Sequence, residues 1–155
     1  MRRIDWVTRA KAGTALALAA SLAGCSAPTR VTVDDAWIRL PAAPGRPAAA
    51  YFTLHGGPSN ATLISASADI AVRAEMHESM TGAGGMASMK PLASVPVPAK
   101  ADVTFAPGGR HVMLFDINAK AKVGRIYNLT LSFGNGGRIY VPAMTVGAAD
   151  PAPDF

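Results

Sequence analysis

The sequence predicts an all-β domain, an antiparallel β-sandwich or barrel of about eight or nine short strands. Three observations lead there. Beyond residue 25 the chain consists of short apolar segments separated by Gly, Pro and Asn. Two of these segments flank Gly134-Asn135-Gly136-Gly137, and Asn-Gly accepts positive φ at both central turn positions, so the pair reads as a hairpin. No long helical period and no internal repeat follows residue 25.

The elements follow in chain order. Residues 31–40 alternate, with Trp37 and Ile38 near the centre, and form the first strand. The run from Pro41 to Pro47 holds three prolines and a glycine; it can continue neither strand nor helix and is a loop. Residues 49–54, with Tyr51 and Phe52, read as the next strand, followed by 61–67, 71–78 and 101–105. Pro107-Gly108-Gly109 is a tight turn from which residues 111–117 emerge as an apolar strand. Residues 126–133 and 138–146 are the two arms of the hairpin.

The amino-terminal stretch belongs to export. Arg2, Arg3, Arg9 and Lys11 precede an apolar run over residues 12–22 that is too short for a comfortable membrane-spanning helix. Leu22-Ala23-Gly24-Cys25 is similar to a bacterial lipobox, in which cleavage before the cysteine leaves it lipidated and amino-terminal. The plainer alternative is an ordinary signal with an incidental cysteine. We therefore expect a lipoprotein signal over 1–24, lipidation at Cys25, a tether over 25–30, one domain over 31–147 and a short disordered tail over 148–155. The expected location is the periplasm, anchored by lipid. Ser26, in place of the aspartate associated with inner-membrane retention, favours the outer membrane.

Charge and cysteine content narrow the function. The formal charge is +5, but residues 1–24 hold four of the fifteen basic groups and one of the ten acidic ones, leaving +2. No lysine or arginine cluster remains, so a nucleic-acid partner lacks electrostatic support. Cys25 is the sole cysteine. A lipidated Cys25 leaves no thiol for a disulfide, a thiolate metal site or cysteine chemistry.

Histidine and methionine carry the chemical signal. The three histidines lie at 55, 77 and 111, and of the six methionines beyond the initiator five fall between 76 and 113. Imidazole with thioether, and no thiolate, favours soft Cu(I) over zinc or a hard cation. In a strand, residues i and i+2 share a face with Cα atoms about 6.5–7 Å apart, so His111 and Met113 project together while Val112 points into the core. A His-x-Met in a strand is also a common packing pattern. His77 ends another strand, and beyond the glycine-rich segment 81–85 come Met86 and Met89. Thioethers on such a loop are exposed to oxidation, which suggests use. Met76 should face away from His77 into the core, Met80 is open between packing and use, and Met144 is read as packing.

The segment His77-Glu78, Gly85-Met86-Ala-Ser-Met89-Lys90-Pro91, Val95-Pro96 and Pro107-Gly108-Gly109-Arg110-His111-Val112-Met113 resembles the periplasmic Cu(I) chaperone family called PCuAC. The family motif is a histidine, ten residues, a methionine, twenty-one residues, then His-x-Met. Here twenty-one residues separate Met89 from His111, and eleven rather than ten separate His77 from Met89. Lys90-Pro91 matches the usual continuation after the methionine and favours Met89 as ligand, with Met86 as the auxiliary or alternative thioether. The wider likeness runs from Val33 to Val146, including Ala36-Trp37-Ile38-Arg39 and Tyr51-Phe52-Thr53-Leu54. The resemblance implies a cupredoxin-like β-sandwich holding one Cu(I) through His77, Met89, His111 and Met113. It also implies delivery to a copper-accepting partner, a cytochrome oxidase subunit or assembly factor. Residues 148–155 contain neither His nor Met, so a single site is expected.

Other classes fit less well. A blue-copper centre needs a cysteine thiolate beside two histidines, and the sole cysteine lies in the lipobox. No nucleophile is paired with a base, so enzymatic activity is not expected; Glu75 and Glu78, flanking His77, read as solvated strand ends. The remaining alternatives are a lipid-anchored structural or partner-binding β-sandwich and a general periplasmic copper-tolerance protein.

Overall fold

A computed structural model describes residues 30–81 and 87–155. The signal, Cys25, most of the tether and Met86 lie outside the described residues. Within them the chain forms ten strands: β1 (Thr32–Arg39), β2 (Ala48–His55), β3 (Ala61–Ala68), β4 (Ala71–Thr81), β5 (Ala87–Leu92), β6 (Val95–Val97), β7 (Asp102–Phe105), β8 (Arg110–Ile117), β9 (Ile126–Phe133) and β10 (Arg138–Val146). Among the described residues no helix is long and apolar enough to cross a membrane.

The all-β expectation holds, and every predicted strand is present within two or three residues. β5 and β6 were not anticipated. Each contains a proline, Pro91 and Pro96, which weakens the strand signal. Both occupy sheet edges, where a missing ladder donor is tolerated. In β6 the flanking Val95 and Val97 are buried while Pro96 is exposed, so period-2 alternation survives in only three residues.

The strands form one continuous sheet in the order β5-β4-β8-β7-β2-β1-β10-β9-β3-β6, with a further β8–β2 pairing. Pairing is antiparallel except for β1 with β10 and a single parallel bridge between β7 and β8. The sheet doubles over so that β3 packs on β4. Between the layers lies a core that includes Ile38, Phe52, Leu54, Leu63, Phe105, Val112, Leu114, Leu129 and Leu131, each at most 1% exposed. Phe52 and Phe105 stack there with ring centroids 4.4 Å apart.

Two local details differ from simple expectation. The register between β1 and β2 shifts between Asp34 and Trp37, and Asp35 adopts φ 54°. This bulge makes Ala36, Trp37 and Ile38 consecutively buried, because the extra residue interrupts strict alternation. In the β9–β10 hairpin only Gly136 has positive φ, at 84°. Its N–H donates to Phe133 O at 2.9 Å, so the loop is a three-residue turn closed by a left-handed glycine rather than a two-residue turn with two such residues. Arg39 donates to the carbonyls of Gly147, Ala148 and Asp150.

Candidate metal centre

Strand register decides which side chains meet. β4 and β8 run antiparallel with Arg73 opposite Phe115, Glu75 opposite Met113 and His77 opposite His111. β5 lies on the other side of β4, with Met89 opposite Ser79 and Pro91 opposite His77. Because alternate residues share a face, His77, His111, Met113 and Met89 all lie on one face of the β5-β4-β8 segment. The histidines form the middle row, with Met113 one step to one side and Met89 one step to the other. Met76 and Val112 pair on the opposite face and are 6% and 0% exposed, as core residues.

The two imidazoles are tethered differently. Ala106-Pro107-Gly108-Gly109 forms a turn in which Gly109 N–H donates to Ala106 O at 3.0 Å and Gly108 has φ 81°. A left-handed glycine at the third position is what a type II turn requires, and proline at the second favours it. This turn aims the Gly109 carbonyl at β4, where it accepts from Ser79 N–H at 3.1 Å. The same carbonyl lies 3.0 Å from His111 Nδ1. A carbonyl only accepts, so Nδ1 carries the proton and Nε2 keeps its lone pair. His77 Nε2 lies 3.1 Å from Glu75 Oε2, while its Nδ1 is buried with no hydrogen-bond partner.

Ring centroids of His77 and His111 are 6.0 Å apart. That separation leaves room for an ion bonded to both rings, since metal–imidazole bonds are about 2 Å long. His111 is 7% exposed, whereas Met89 at the outer edge is 59% exposed; methionine has the rotatable bonds to reach inward from such a position. Among the described residues there is no group of three or more His, Cys, Asp or Glu that could hold a metal ion. The donors sharing this face are two imidazoles and two thioethers, a neutral set that suits a soft monovalent ion.

The face continues past the metal-ligand candidates. The register that pairs Ala50 with Val112 and Ala49 with Met113 brings Tyr51 beside His111. Tyr51 stacks on Trp37 at 4.4 Å, and the Arg39 guanidinium covers Trp37 at 4.9 Å. Burial pushes the Tyr51 phenol above its ordinary pKa, with Arg39 acting in the opposite direction.

Two sequence readings change, for Glu75 and Met144, and the open one for Met80 is resolved. Glu75 is not a solvated strand end: it bonds His77 and pairs with Arg73. The hydrogen bond from His77 holds its carboxyl below the ordinary glutamate range; burial opposes this and Arg73 adds to it. The i−2 spacing from His77 was the signal available for this contact. Met80 is 50% exposed and lies opposite Ser88, on the face away from His77. Met144 is 42% exposed rather than packed.

A family model described as "Putative lipoprotein LpqE-like" matches residues 31–145. A protein named "Putative lipoprotein Lxx21020" from Leifsonia xyli subsp. xyli is 29% identical over 125 residues, covering 81% of this chain and 70% of that protein. Among solved structures, the copper-bound PCuAC domain of PmoF2 superposes with a TM-score of 0.63 at 24% identity, covering 78% of this chain and 96% of that domain. The CuI form of DR1885 from Deinococcus radiodurans superposes with a TM-score of 0.60 at 32% identity, covering 82% of this chain and 85% of that one. With most of the domain matched by one family model and its ten-stranded sheet matched by PCuAC domains, this chain belongs to the LpqE-like family, which is related to PCuAC and shares its cupredoxin-like fold.

Proposed function

We propose that this chain is a lipid-anchored periplasmic metallochaperone that carries one Cu(I) as cargo on His77, Met89, His111 and Met113. One observation carries the reading: His77 stands directly opposite His111, with Met113 and Met89 flanking the pair on the same face. The CuI description of the DR1885 relative, 32% identical, supports the choice of metal.

The donor set explains release as well as capture. Two imidazoles and two thioethers add no charge, so the ion keeps +1 and is held less tightly than by thiolates. An acceptor offering thiolates draws the ion away one ligand at a time, beginning at Met89 on the exposed edge strand. The resemblance to PCuAC points to the copper centres of cytochrome oxidase as the destination. Cys25 supplies the lipid, and Ser26 beside it favours the outer membrane.

The test is Cu(I) titration of the full chain in detergent under reductant, against a chromophoric chelator. The expected result is one tight equivalent that passes to a dithiol peptide. Failure to compete with the chelator would return the chain to a lipid-anchored, partner-binding β-sandwich. Binding without transfer to an oxidase copper-site fragment would favour a general copper-tolerance role.

A further inference from the structure

We infer that Glu75 is a positioning residue that selects which nitrogen of His77 meets the ion, with Arg73 and Phe115 holding Glu75 in place. This rests on the Cu(I) reading of the face. A carboxylate only accepts, so the 3.1 Å contact between Glu75 Oε2 and His77 Nε2 puts the ring proton on Nε2. The lone pair of a neutral ring is then on Nδ1, and Nδ1 is the buried atom with no hydrogen-bond partner. Leaving a buried acceptor unpaired is unfavourable, and an incoming cation removes that deficit.

His111 is set the opposite way. Its Nδ1 is tied to the Gly109 carbonyl, which leaves Nε2. The two rings therefore meet the ion through different nitrogens, Nδ1 of His77 and Nε2 of His111.

Glu75 is itself held by its neighbours. Its Oε1 accepts from Arg73 Nη1, and the Arg73 guanidinium lies 3.9 Å from the centroid of the Phe115 ring. Arg73–Phe115, Glu75–Met113 and His77–His111 are successive cross-strand pairs on one face. The support thus runs alongside the ligands down the same two strands. An outer carboxylate on a metal-bound histidine fixes its tautomer and raises its basicity, and its loss typically weakens metal binding 10–100-fold.

The experiment uses the full chain in detergent micelles with 15N-labelled histidine. Long-range 1H–15N correlations of the metal-free protein should show His77 protonated on Nε2. Cu(I) loading should move the Nδ1 resonance of His77 and the Nε2 resonance of His111. Glu75→Ala should scramble the His77 tautomer and weaken Cu(I) binding about 10–100-fold. Glu75→Gln, whose amide oxygen can still accept from Nε2, should restore most of the affinity. Arg73→Ala should weaken binding less than Glu75→Ala. A metal-free His77 protonated on Nδ1 would overturn the inference, as would Cu(I) bound through its Nε2 or unchanged affinity in Glu75→Ala. If the unsubstituted chain binds no Cu(I), the copper reading fails, and the metal-free tautomer still decides the role of Glu75.

Discussion

The chain's third histidine occupies a region built on opposite terms from the His77–His111 pair. His55 ends β2, with Thr32 of β1 on one side and Asp102 of β7 on the other. Its Nδ1 lies 2.7 Å from Asp102 Oδ1 and its Nε2 lies 3.3 Å from Asp34 Oδ2. Each nitrogen thus faces a carboxylate oxygen, both on exposed side chains. With a carboxylate beside each nitrogen, His55 leaves neither one unpartnered. At His77 and His111 one nitrogen is tied to an internal acceptor and the other is left over, with thioethers nearby. The lesson is that the number of acceptors around an imidazole, more than the presence of the imidazole, makes it a candidate ligand.

The largest expected contrast between these regions is in copper affinity. His77→Ala and His111→Ala should each weaken Cu(I) binding beyond the roughly 100-fold upper range of an outer partner. His55→Ala should leave it unchanged; equal losses in all three, read by chelator competition, would erase the distinction. Met113→Ala should match the histidine variants, since Met113 shares a strand face with His111. Met89→Ala should lose less, about tenfold, because an exposed edge thioether is more readily replaced by solvent or by another thioether. A Met86→Ala loss exceeding that of Met89→Ala would transfer the fourth ligand to Met86.

Smaller effects test how each region is held. Gly108→Ala places a Cβ at φ 81°, and should destabilise the fold by about 1 kcal/mol or more. It should also weaken Cu(I) binding, because that turn aims the carbonyl to which His111 is tied. Chemical denaturation alongside titration would separate the two consequences. Cu(I) occupancy should fall on acidification, because only a neutral imidazole binds metal; occupancy unchanged at pH 4 would remove the histidines from the site.

Glu75 offers a different pH test. Its carboxyl is held below the ordinary value, first by the His77 hydrogen bond, with burial opposing and Arg73 assisting. It therefore contributes stability above the unfolded pKa, and that contribution is lost as pH falls through the lower folded value. Melting temperature against pH should show a shallower acid limb in Glu75→Gln. The smallest effect belongs to His55→Gln, which removes surface contacts to Asp34 and Asp102 worth roughly 0–1 kcal/mol. A larger loss would mean that the Asp34–His55–Asp102 contact staples three strands together.

Much of the candidate site was legible because strand periodicity is local. His111 and Met113 had to share a face, and Val112 had to enter the core, as its 0% exposure bears out. Pro107-Gly108-Gly109 announced a turn whose type follows from the residues themselves. β5 escaped notice because Pro91 interrupts its pattern and its entry follows a glycine-rich stretch. Glu75 was misjudged because its value lies in side-chain contacts along β4 to Arg73 and His77, which the i±2 spacing allowed; only Phe115, which packs on Arg73 from β8, is supplied by the tertiary structure.

By itself, the sequence determined the donor types, the absence of a thiolate from the domain, the strand-rich architecture and the spacing that places His111 with Met113. These follow from residue chemistry and the two-residue repeat of an extended chain, both local. Only the tertiary structure decided that β4 lies against β8 in the register opposing His77 to His111. It also decided that β5 carries Met89 onto the same face, and that His55 meets two carboxylates instead. Such pairings join residues from 10 positions apart, as Ser79 and Met89, to 47, as His55 and Asp102. They are selected by which arrangement buries Phe52, Val112, Leu114 and their neighbours together, a balance struck over the whole sheet.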